Sequence, residues 1–338
     1  MKYTKILGIG SYLPPKVWTN EDLRSLMDTS DDWIQQRTGI KQRHWVDQDS
    51  ETCTSDLALE AAKMALERAE VKKEDLDLII MATLSPDHEF PGTACFLQSK
   101  LGIPGVPALD IRQQCTGFIY GLSIADQFIK TGMYKKVLLV GAEVHSKGLD
   151  KSTRGRDVTV LFGDGAGAVV LGSDSEPCKN EQSRILSTHL HADGRFAKEL
   201  WVEDPGVGHA GERVTSERMA ECKYFPQMNG KSVFMHAVKR MPEALMESLA
   251  ANQLSLKDVD LFVFHQANLR INEMVAKQLE IPEEKVFNTI QQYGNTTAAT
   301  IPIGLDRAVQ EGKLKPGMLV ASAAFGSGFT WASTLIRW

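Results

Sequence analysis

The Gly-rich segment Phe162-Gly-Asp-Gly-Ala-Gly-Ala-Val-Val170 has a counterpart in the second half of the chain, Phe325-Gly-Ser-Gly-Phe-Thr-Trp-Ala-Ser333. Another pair of segments precedes this pair in the same order, Glu74-Asp-Leu-Asp-Leu-Ile-Ile-Met81 and Lys257-Asp-Val-Asp-Leu-Phe-Val-Phe264. Either match alone is weak, because Gly-x-Gly and Asp-x-Asp sequences often precede strands. Two matches in one order predict that the chain is an internal duplication.

The duplication predicts two similar halves of about equal length. We expect an N-terminal half at residues 1–175 and a C-terminal half at residues 176–338, with the boundary within residues 172–185. The stretch Gly172-Ser-Asp-Ser-Glu-Pro-Cys-Lys-Asn180 has the composition of a linker there.

Apolar runs alternate with amphipathic helical patterns along the chain. Leu76–Ala82 and Lys136–Ala142 are predicted strands, and they follow the predicted helices Ser55–Glu70 and Thr116–Thr131. Nearly continuous apolar runs are typical of strands that are buried on both faces, as in α/β proteins. The expected fold class is therefore α/β.

Composition narrows the class of protein. The chain has 338 residues, is 43% hydrophobic and 24% charged, and carries a net charge of −5 without a run of basic residues. We therefore expect neither nucleic acid nor a membrane surface as a partner. The apolar stretch at the N-terminus is too short for a signal peptide, and no run approaches the roughly 18 apolar residues that cross a bilayer.

The cysteines argue against a disulfide framework and against a metal site. There are five, an odd number, and no two of them form a Cys-x-x-Cys pair. The histidines show no metal-binding spacing with carboxylates or thiols. A reducing, cytoplasmic location fits this pattern.

Cys115 is the strongest candidate for a reactive residue. It lies in Asp110-Ile-Arg-Gln-Gln-Cys-Thr-Gly-Phe118, where a predicted strand ends and a helix begins. The positive end of the helix dipole and the unpaired N–H groups there favour the thiolate, which is the nucleophilic form. Gly117 lets a ligand or another segment approach closely. Most buried cysteines only pack, so this prediction depends on finding helper residues.

Two residues in the second half are candidate helpers. His265 ends the apolar run Leu261-Phe-Val-Phe-His265, and its proton affinity suits catalysis near neutral pH. Asn295 opens a predicted helix that runs to about Gln310, and its amide can donate to a developing oxyanion. A core histidine and a helix N-cap are the alternative interpretations, and the second is compatible with function.

Together these residues resemble the β-ketoacyl-[acyl-carrier-protein] synthase III family of the thiolase superfamily. The likeness covers essentially all 338 residues. The motifs that carry it are Asp32-Trp-Ile-Gln-Gln-Arg-Thr-Gly-Ile40, Phe90-Pro91, Cys115-Thr-Gly-Phe118, Gly163-Asp-Gly-Ala-Gly-Ala168, His265-Gln-Ala-Asn-Leu-Arg270, Gly294-Asn-Thr-Thr-Ala-Ala299 and Phe325-Gly-Ser-Gly-Phe-Thr-Trp331.

The resemblance implies a five-layered αβαβα fold made of two duplicated halves, and a homodimer. It implies that Cys115 takes an acyl group from acyl-CoA as a thioester, with the backbone N–H groups of Cys115 and Ser327 holding the oxyanion. His265 and Asn295 then promote decarboxylation of a malonyl thioester, carried by acyl carrier protein, and stabilise the enolate. No metal or cofactor is implied beyond the coenzyme A thioester substrates.

The resemblance also implies two sets of binding residues. The positions that match coenzyme A contacts are Trp33, Arg37, Thr38, Arg154, Gly230, Asn268 and Arg270. Trp33 is expected to stack on adenine, with Arg154 on the other face of the base. Phe325 is expected at the acyl pocket, and Phe90 is expected to cross the dimer interface and close the acyl pocket of the partner.

Three absences favour the type III initiating class over its relatives. A biosynthetic thiolase has a second Cys near Ala323-Ala-Phe-Gly-Ser-Gly328, and none is present there. Elongating synthases have a His where this chain has Asn295. Relatives that condense two thioesters head to head have a Glu where this chain has Phe90.

Other residues leave the substrates open. Gln113 and Gln114 replace the small residues that are usual before the Cys. The segment Arg154-Gly-Arg156 resembles that of specialised relatives that condense aromatic or unusual acyl-CoAs. A specialised condensing enzyme of secondary metabolism is therefore one alternative. An acyltransferase that moves the acyl group to oxygen or nitrogen is another, and a non-catalytic scaffold is the third.

Overall fold

Two sheets form the framework of the molecule, one of five strands and one of four, and four strands of the first correspond in order to those of the second. The computed structural model describes residues 3–176 and 183–338. The strands in these ranges are β1 (Thr4–Tyr12), β2 (Val17–Thr19), β3 (Gln42–His44), β4 (Leu78–Ala82), β5 (Ala108–Ile111), β6 (Lys136–Glu143), β7 (Gly165–Ser173), β8 (Arg184–Ala192), β9 (Leu200–Trp201), β10 (Gln227–Met228), β11 (Leu261–Phe262), β12 (Leu319–Gly326) and β13 (Thr330–Arg337).

Helices cover both faces of these sheets. The α-helices in the described ranges are α1 (Asn20–Leu23), α2 (Asp31–Thr38), α3 (Thr54–Ala69), α4 (Thr93–Leu101), α5 (Gly117–Thr131), α6 (Arg156–Thr159), α7 (Ser216–Ala220), α8 (Gly230–Ala251), α9 (Leu269–Gln278), α10 (Ile290–Tyr293) and α11 (Thr300–Gln310). None of the helices described is long and apolar enough to cross a membrane.

The first sheet has the order β1-β7-β6-β4-β5, and the second has the order β11-β12-β13-β8. β4 and β6 are parallel, and β6, β7 and β1 then alternate in direction. The second sheet repeats this pattern with β11, β12, β13 and β8. The two halves therefore have the same topology, as the paired sequence segments predicted.

The molecule is built in five layers. α3 and α4 pack on the outer face of the first sheet, and α8 and α9 pack on the outer face of the second. α5 and α11 lie between the sheets, where their apolar residues share one core with both. The five residues of β4 are all buried, which explains the continuous apolar run in the sequence.

The predicted linker is only partly described. Gly172 and Ser173 end strand β7, so the first residues of the stretch belong to the first sheet. Residues 177–182, including Cys178, lie outside the described residues. The division of the chain at residue 175 stays a prediction.

Two short 3₁₀ turns place the candidate residues ahead of the central helices. Gln114–Thr116 precedes α5, which therefore begins one residue later than expected. Thr297–Ala299 precedes α11. This second turn lies close to β6. A Cβ added at Gly141 of β6 would lie only 2.4 Å from the carbonyl oxygen of Ala298, so there is no room for a side chain at that position.

An ion pair between a buried carboxylate and a partly exposed guanidinium joins the two halves. Asp306 of α11 is fully buried and accepts a hydrogen bond from the Ser11 hydroxyl of β1 at 2.5 Å. The guanidinium of Arg68, at the end of α3, donates to the other carboxylate oxygen. A buried carboxylate is stable only when its oxygens are paired, so this contact fixes α11 against the first half.

Candidate functional site

Cys115 lies where two cavities meet. It is 8% exposed and belongs to the 3₁₀ turn between β5 and α5. Gln114, directly before it, has a φ of +41°, a strained value for a side chain of this type. Backbone strain of this kind is often found at functional sites, and here it lies next to a residue that lines both cavities.

Burial opposes the expected thiolate. It raises the pKa of Cys115 to about 12, with a further rise from the negative charge of Glu143. The backbone N–H groups of Ser327 and of Cys115 itself lower the pKa, but they do not outweigh burial. The helix start was expected to favour the thiolate, but burial outweighs that effect, and the thiol is the favoured form of Cys115 near neutral pH.

Glu143, at the end of β6, is the buried carboxylate whose negative charge adds to this rise in the pKa of Cys115. Burial raises its pKa to about 7, while hydrogen bonds to its carboxylate act in the opposite direction. It accepts from the Ser85 hydroxyl at 2.6 Å and from the backbone N–H of Leu84 at 3.1 Å. Glu143 thus holds the loop after β4 in place.

His265 lies just beyond the short strand β11. Its backbone N–H donates to the carbonyl oxygen of Ala323 at 2.9 Å, so it continues alongside β12. Its Nδ1 is 2.7 Å from the hydroxyl oxygen of Thr300, and its buried Nε2 has no partner in the described part of the chain. Burial lowers the pKa of the ring to about 3, so His265 is neutral.

Asn295 is held at both its backbone and its side chain. Its N–H donates to the carbonyl oxygen of Leu161 at 2.8 Å, and its Oδ1 accepts from the N–H of Thr297 at 2.9 Å. Asn295 lines the same cavity as Cys115, and its Nδ2 amide group is the part of the side chain that can donate a hydrogen bond. Asn295 does not cap α11, because the turn Thr297–Ala299 intervenes.

Cys115 and Asn295 line one cavity together with the end of β12, whereas His265 is not among the lining residues of either cavity at Cys115. A Cβ at Gly326 would lie 2.5 Å from the Cβ of Cys115, so Cys115 touches the last residue of the strand. His265 is bonded to Ala323, three residues earlier, which is about 10 Å along a strand. Asn295 lines the same cavity as Cys115 and Gly326.

The Trp33 cavity, of about 450 Å³, runs from Cys115 and Asn295 to Trp33. Its lining includes Phe325 and six of the seven positions predicted to contact coenzyme A, namely Trp33, Arg37, Thr38, Gly230, Asn268 and Arg270. The guanidinium carbons of Arg37 and Arg156 lie 4.6 and 4.7 Å from the centre of the Trp33 ring.

Arg154, the seventh position, faces elsewhere. Its Nε donates to a carboxylate oxygen of Asp150 at 2.6 Å, and its guanidinium lies 5.8 Å from the ring centre of Phe225. Arg156, two residues further on, is the residue that reaches Trp33 from this loop.

The Trp201 cavity, of about 470 Å³, lies on the other side of Cys115. Apolar side chains form much of its wall, with a few polar ones between them. The lining includes Leu84, Val144, Leu149, Phe162, Leu200, Trp201, Arg112, Gln114, His145 and Ser327. Phe90 is 81% exposed in the single chain, on the loop before α4.

Comparison with known proteins agrees with this geometry. The family model "3-Oxoacyl-[acyl-carrier-protein (ACP)] synthase III" matches residues 109–194, and the model of its C-terminal part matches residues 249–338. β-Ketoacyl-[acyl-carrier-protein] synthases III from Alkalilimnicola ehrlichii and Ehrlichia canis are each 48% identical, over 100% of this chain and 100% of theirs. The chain belongs to the 3-oxoacyl-[acyl-carrier-protein] synthase III family. A solved synthase III from Aquifex aeolicus VF5 is 44% identical, covers 99% of this chain and 100% of its own, and has a TM-score of 0.88.

Membership of the synthase III family confirms the expected thiolase-like fold. It also confirms the expected enzyme class, an acyltransferase-type condensing enzyme of fatty acid biosynthesis. The roles of individual residues in this synthase III chain stay predictions. Among the described residues, no cluster of three or more His, Cys, Asp or Glu side chains could hold a metal ion.

Three residues around the synthase III site were not singled out from the sequence. They are the buried polar residues Glu143, Thr297 and Thr300. Thr297 donates to Asn295, Thr300 is at hydrogen-bond distance from His265, and the charge of Glu143 raises the pKa of Cys115. Glu143 ends an apolar strand, a position where a charge is unusual, and this is the one signal that the sequence offered. The two threonines look like ordinary helix-start residues.

Proposed function

We propose that the chain condenses an acyl-CoA primer with a malonyl thioester on acyl carrier protein, through an acyl-Cys115 intermediate. The observation that carries the proposal is that Cys115 lines two cavities at once, touches Gly326 at the end of β12, and shares one of the cavities with Asn295. A ping-pong condensation needs a nucleophile that one substrate loads and the next substrate unloads.

In the first half-reaction, the sulfur of Cys115 attacks the thioester carbon of acyl-CoA, and the bond from that carbon to the coenzyme A sulfur breaks. The backbone N–H groups of Cys115 and Ser327 are the proposed oxyanion donors. Their approach to the Cys115 sulfur supports this, since both lower its pKa. Donors aimed at such an oxygen contribute about 3–4 kcal/mol each to the barrier difference.

In the second half-reaction, the malonyl carboxylate leaves as CO2, and its bonding electron pair becomes an enolate. The enolate carbon attacks the acyl-Cys115 carbonyl, and Cys115 leaves as thiolate. Asn295 and His265 are the proposed residues at the enolate oxygen. The side chain of Asn295 supports this role, because its Oδ1 already accepts from Thr297, which leaves Nδ2 as a donor on a residue that lines the cavity.

The two cavities suggest how the substrates divide. We assign coenzyme A to the Trp33 cavity, where Arg37 and Arg270 supply positive charge for the phosphates. The Trp33 ring supplies an aromatic surface there, with Arg156 lying against it. The acyl chain is assigned to the Trp201 cavity. A homodimer is part of the proposal, and the exposed ring of Phe90 supports it.

The halves 1–175 and 176–338 then contribute different groups: the first supplies Cys115, and the second supplies His265 and Asn295. We also propose a cytoplasmic location. The support for it is that Cys53, Cys95, Cys115 and Cys222 are free thiols.

The test is the mass of the protein after incubation with a panel of acyl-CoAs. An acyl adduct on Cys115 is expected, with none on Cys115→Ala, and the panel identifies the preferred primer. Polar residues in the Trp201 cavity, Arg112 and Gln114 among them, make aromatic and polar acyl groups necessary members of the panel. Absence of any adduct would overturn the proposal and leave the scaffold alternative.

A further inference from the structure

Asn295 is positioned through its backbone by one short stretch of chain, residues 160–164, which we call the Phe162 segment. The N–H of Asn295 donates to the carbonyl oxygen of Leu161 at 2.8 Å, and its carbonyl oxygen accepts from the N–H of Gly163 at 3.1 Å. Phe162 and Asn295 thereby form an isolated parallel bridge. The position of Asn295 in the site therefore depends on the position of the Phe162 segment.

Two side chains hold the opposite edge of the Phe162 segment. The indole Nε1–H of Trp45, directly after β3, donates to the carbonyl oxygen of Phe162 at 2.9 Å. Nη2 of Arg43, within β3, donates to the carbonyl oxygen of Val160 at 2.9 Å. These side chains supply the donors that a neighbouring strand supplies in a sheet.

Neither side chain has room to move. Trp45 and Arg43 are both fully buried. The ring of Trp18 lies 4.9 Å from that of Trp45, and Nη1 of Arg43 donates to Oδ1 of Asn20 at 2.8 Å. Burial lowers the pKa of Arg43 to about 9, so its guanidinium stays charged at neutral pH. Both donors therefore act from fixed positions.

The carbonyl of Phe162 depends on the indole of Trp45. Phe162 is 8% exposed, and Trp45 is the donor that the structure gives to its carbonyl oxygen. A buried carbonyl that loses its donor is destabilising. Without the indole N–H, the Phe162 segment would shift toward another donor, and Asn295 would move with it.

We propose that Trp45 is a positioning residue for decarboxylation. Its N–H fixes the Phe162 segment and, through that segment, the place of the Asn295 amide at the enolate oxygen. This inference rests on the proposed function and deepens it. Trp45 lines neither of the two cavities at Cys115, so it acts through the backbone and not by touching a substrate.

Acyl transfer depends on other elements. The proposed oxyanion donors are the N–H groups of Cys115, in the turn before α5, and of Ser327, directly after β12. Among the described residues, neither of these N–H groups bonds to the Phe162 segment. Loss of the indole donor is therefore expected to affect the second half-reaction more than the first.

The test compares Trp45→Phe with Trp18→Phe. Trp18→Phe is the matched control, because its ring lies beside Trp45 but its buried Nε1 has no hydrogen-bond partner in the described part of the chain. A shift of about 1 Å at a reacting group costs on the order of 10²-fold in rate. Since Arg43 still holds Val160, we expect a smaller shift, and Trp45→Phe should slow CO2 release by the acylated enzyme about tenfold.

Acyl-Cys115 should form in Trp45→Phe within about threefold of the wild-type rate, measured separately in single turnover. Trp18→Phe should stay within about threefold of the wild type in both half-reactions. Equal slowing of the two half-reactions by Trp45→Phe, or a folded Trp45→Phe protein that releases CO2 at the wild-type rate, would overturn the inference.

A double-mutant cycle with Asn295→Ala separates positioning from a general loss of structure. If Trp45 acts through Asn295, adding Trp45→Phe to Asn295→Ala should slow CO2 release by less than about twofold further. A further loss of about tenfold would show that Trp45 acts elsewhere and would overturn the inference.

A second replacement keeps the test decisive if Trp45→Phe does not fold. Site-specific 3-benzothienylalanine at Trp45 keeps the shape of the ring and has sulfur in place of the N–H. It should slow CO2 release in the same way, and a wild-type rate would overturn the inference. Asn295→Ala with a wild-type rate of CO2 release would overturn the assigned role of Asn295 and this inference with it. Failure of the wild type to form acyl-Cys115 would overturn the proposed function itself, and it is tested first.

Discussion

Replacing Gly326 by Ala is expected to disable acyl transfer without unfolding the protein. The added Cβ would lie 2.5 Å from the Cβ of Cys115 and 2.8 Å from its sulfur. Carbon atoms pack at about 3.5–4.0 Å, so one of the two residues must move by about 1 Å. Gly326 is paired with Thr330 at the end of β12, which is held by β11 and β13, so the thiol is the part that moves.

The size of the effect follows from this displacement. A shift of about 1 Å at a reacting atom costs on the order of 10²-fold in rate, and an overpacked methyl group costs about 1–3 kcal/mol of stability. We therefore expect Gly326→Ala to form acyl-Cys115 about 10²-fold more slowly, while the protein still folds and its melting temperature falls by a few degrees.

The assay is single-turnover acylation by acyl-CoA, followed by intact mass, alongside thermal unfolding. Gly194→Ala is the matched control, because a Cβ there meets nothing within 4 Å. Its acylation rate should equal that of the wild type. A folded Gly326→Ala protein that acylates within twofold of the wild type would refute the argument that Gly326 sets the position of the thiol.

Three further predictions concern buried groups. Asn295→Ala should slow CO2 release by the acylated enzyme about 10²–10³-fold, while acyl-Cys115 should still form within a few-fold of the wild-type rate. The two half-reactions are measured separately. Equal losses in both would contradict the division of roles. Glu143→Gln removes a negative charge that raises the pKa of the Cys115 thiol, so this pKa should fall from about 12. Alkylation of Cys115 by iodoacetamide at pH 8 should therefore become faster. An unchanged alkylation rate would contradict this effect of Glu143. Asp306→Asn should lower the free energy of unfolding by about 2–3 kcal/mol in urea titrations, since Arg68 and Ser11 lose a charged partner; a change below about 0.5 kcal/mol would contradict it.

The architecture could be predicted from the sequence because it depends on repeated local patterns. The paired segments at 74–81 and 257–264 became corresponding strands, β4 and β11, each next to the parallel strand of its sheet. The boundaries were less accurate. β11 ends at Phe262, although the apolar run continues to His265. Beyond Phe262 the chain still donates hydrogen bonds to β12, from Val263 to Ala321 and from His265 to Ala323.

The electrostatic state of the site could not be predicted from local sequence. A helix start after Cys115 argued for a thiolate, but burial raises its pKa, and the residues that pack against it include Gly326 of β12, which is distant in sequence. Glu143 adds to that rise across a long sequence separation. Thr300 and His265 are likewise 35 residues apart, and only the fold brings them into contact.

The arginines show the same limit at the surface. Arg154 and Arg156 are separated in sequence only by Gly155. Matching of motifs therefore could not decide which of the two arginines reaches Trp33. In the structure Asp150 holds Arg154, and Arg156 lies over Trp33. The direction of a side chain depends on its partners, which the motif does not contain.

The most direct test of the central claim is the ratio of CO2 released to β-ketoacyl product formed. It is measured with carboxyl-labelled malonyl-acyl carrier protein and the primer that loads Cys115 best. The account predicts one CO2 for each β-ketoacyl-acyl carrier protein, and no product with Cys115→Ser under the same conditions. Transfer of the acyl group to another acceptor without CO2 release would contradict decarboxylative condensation.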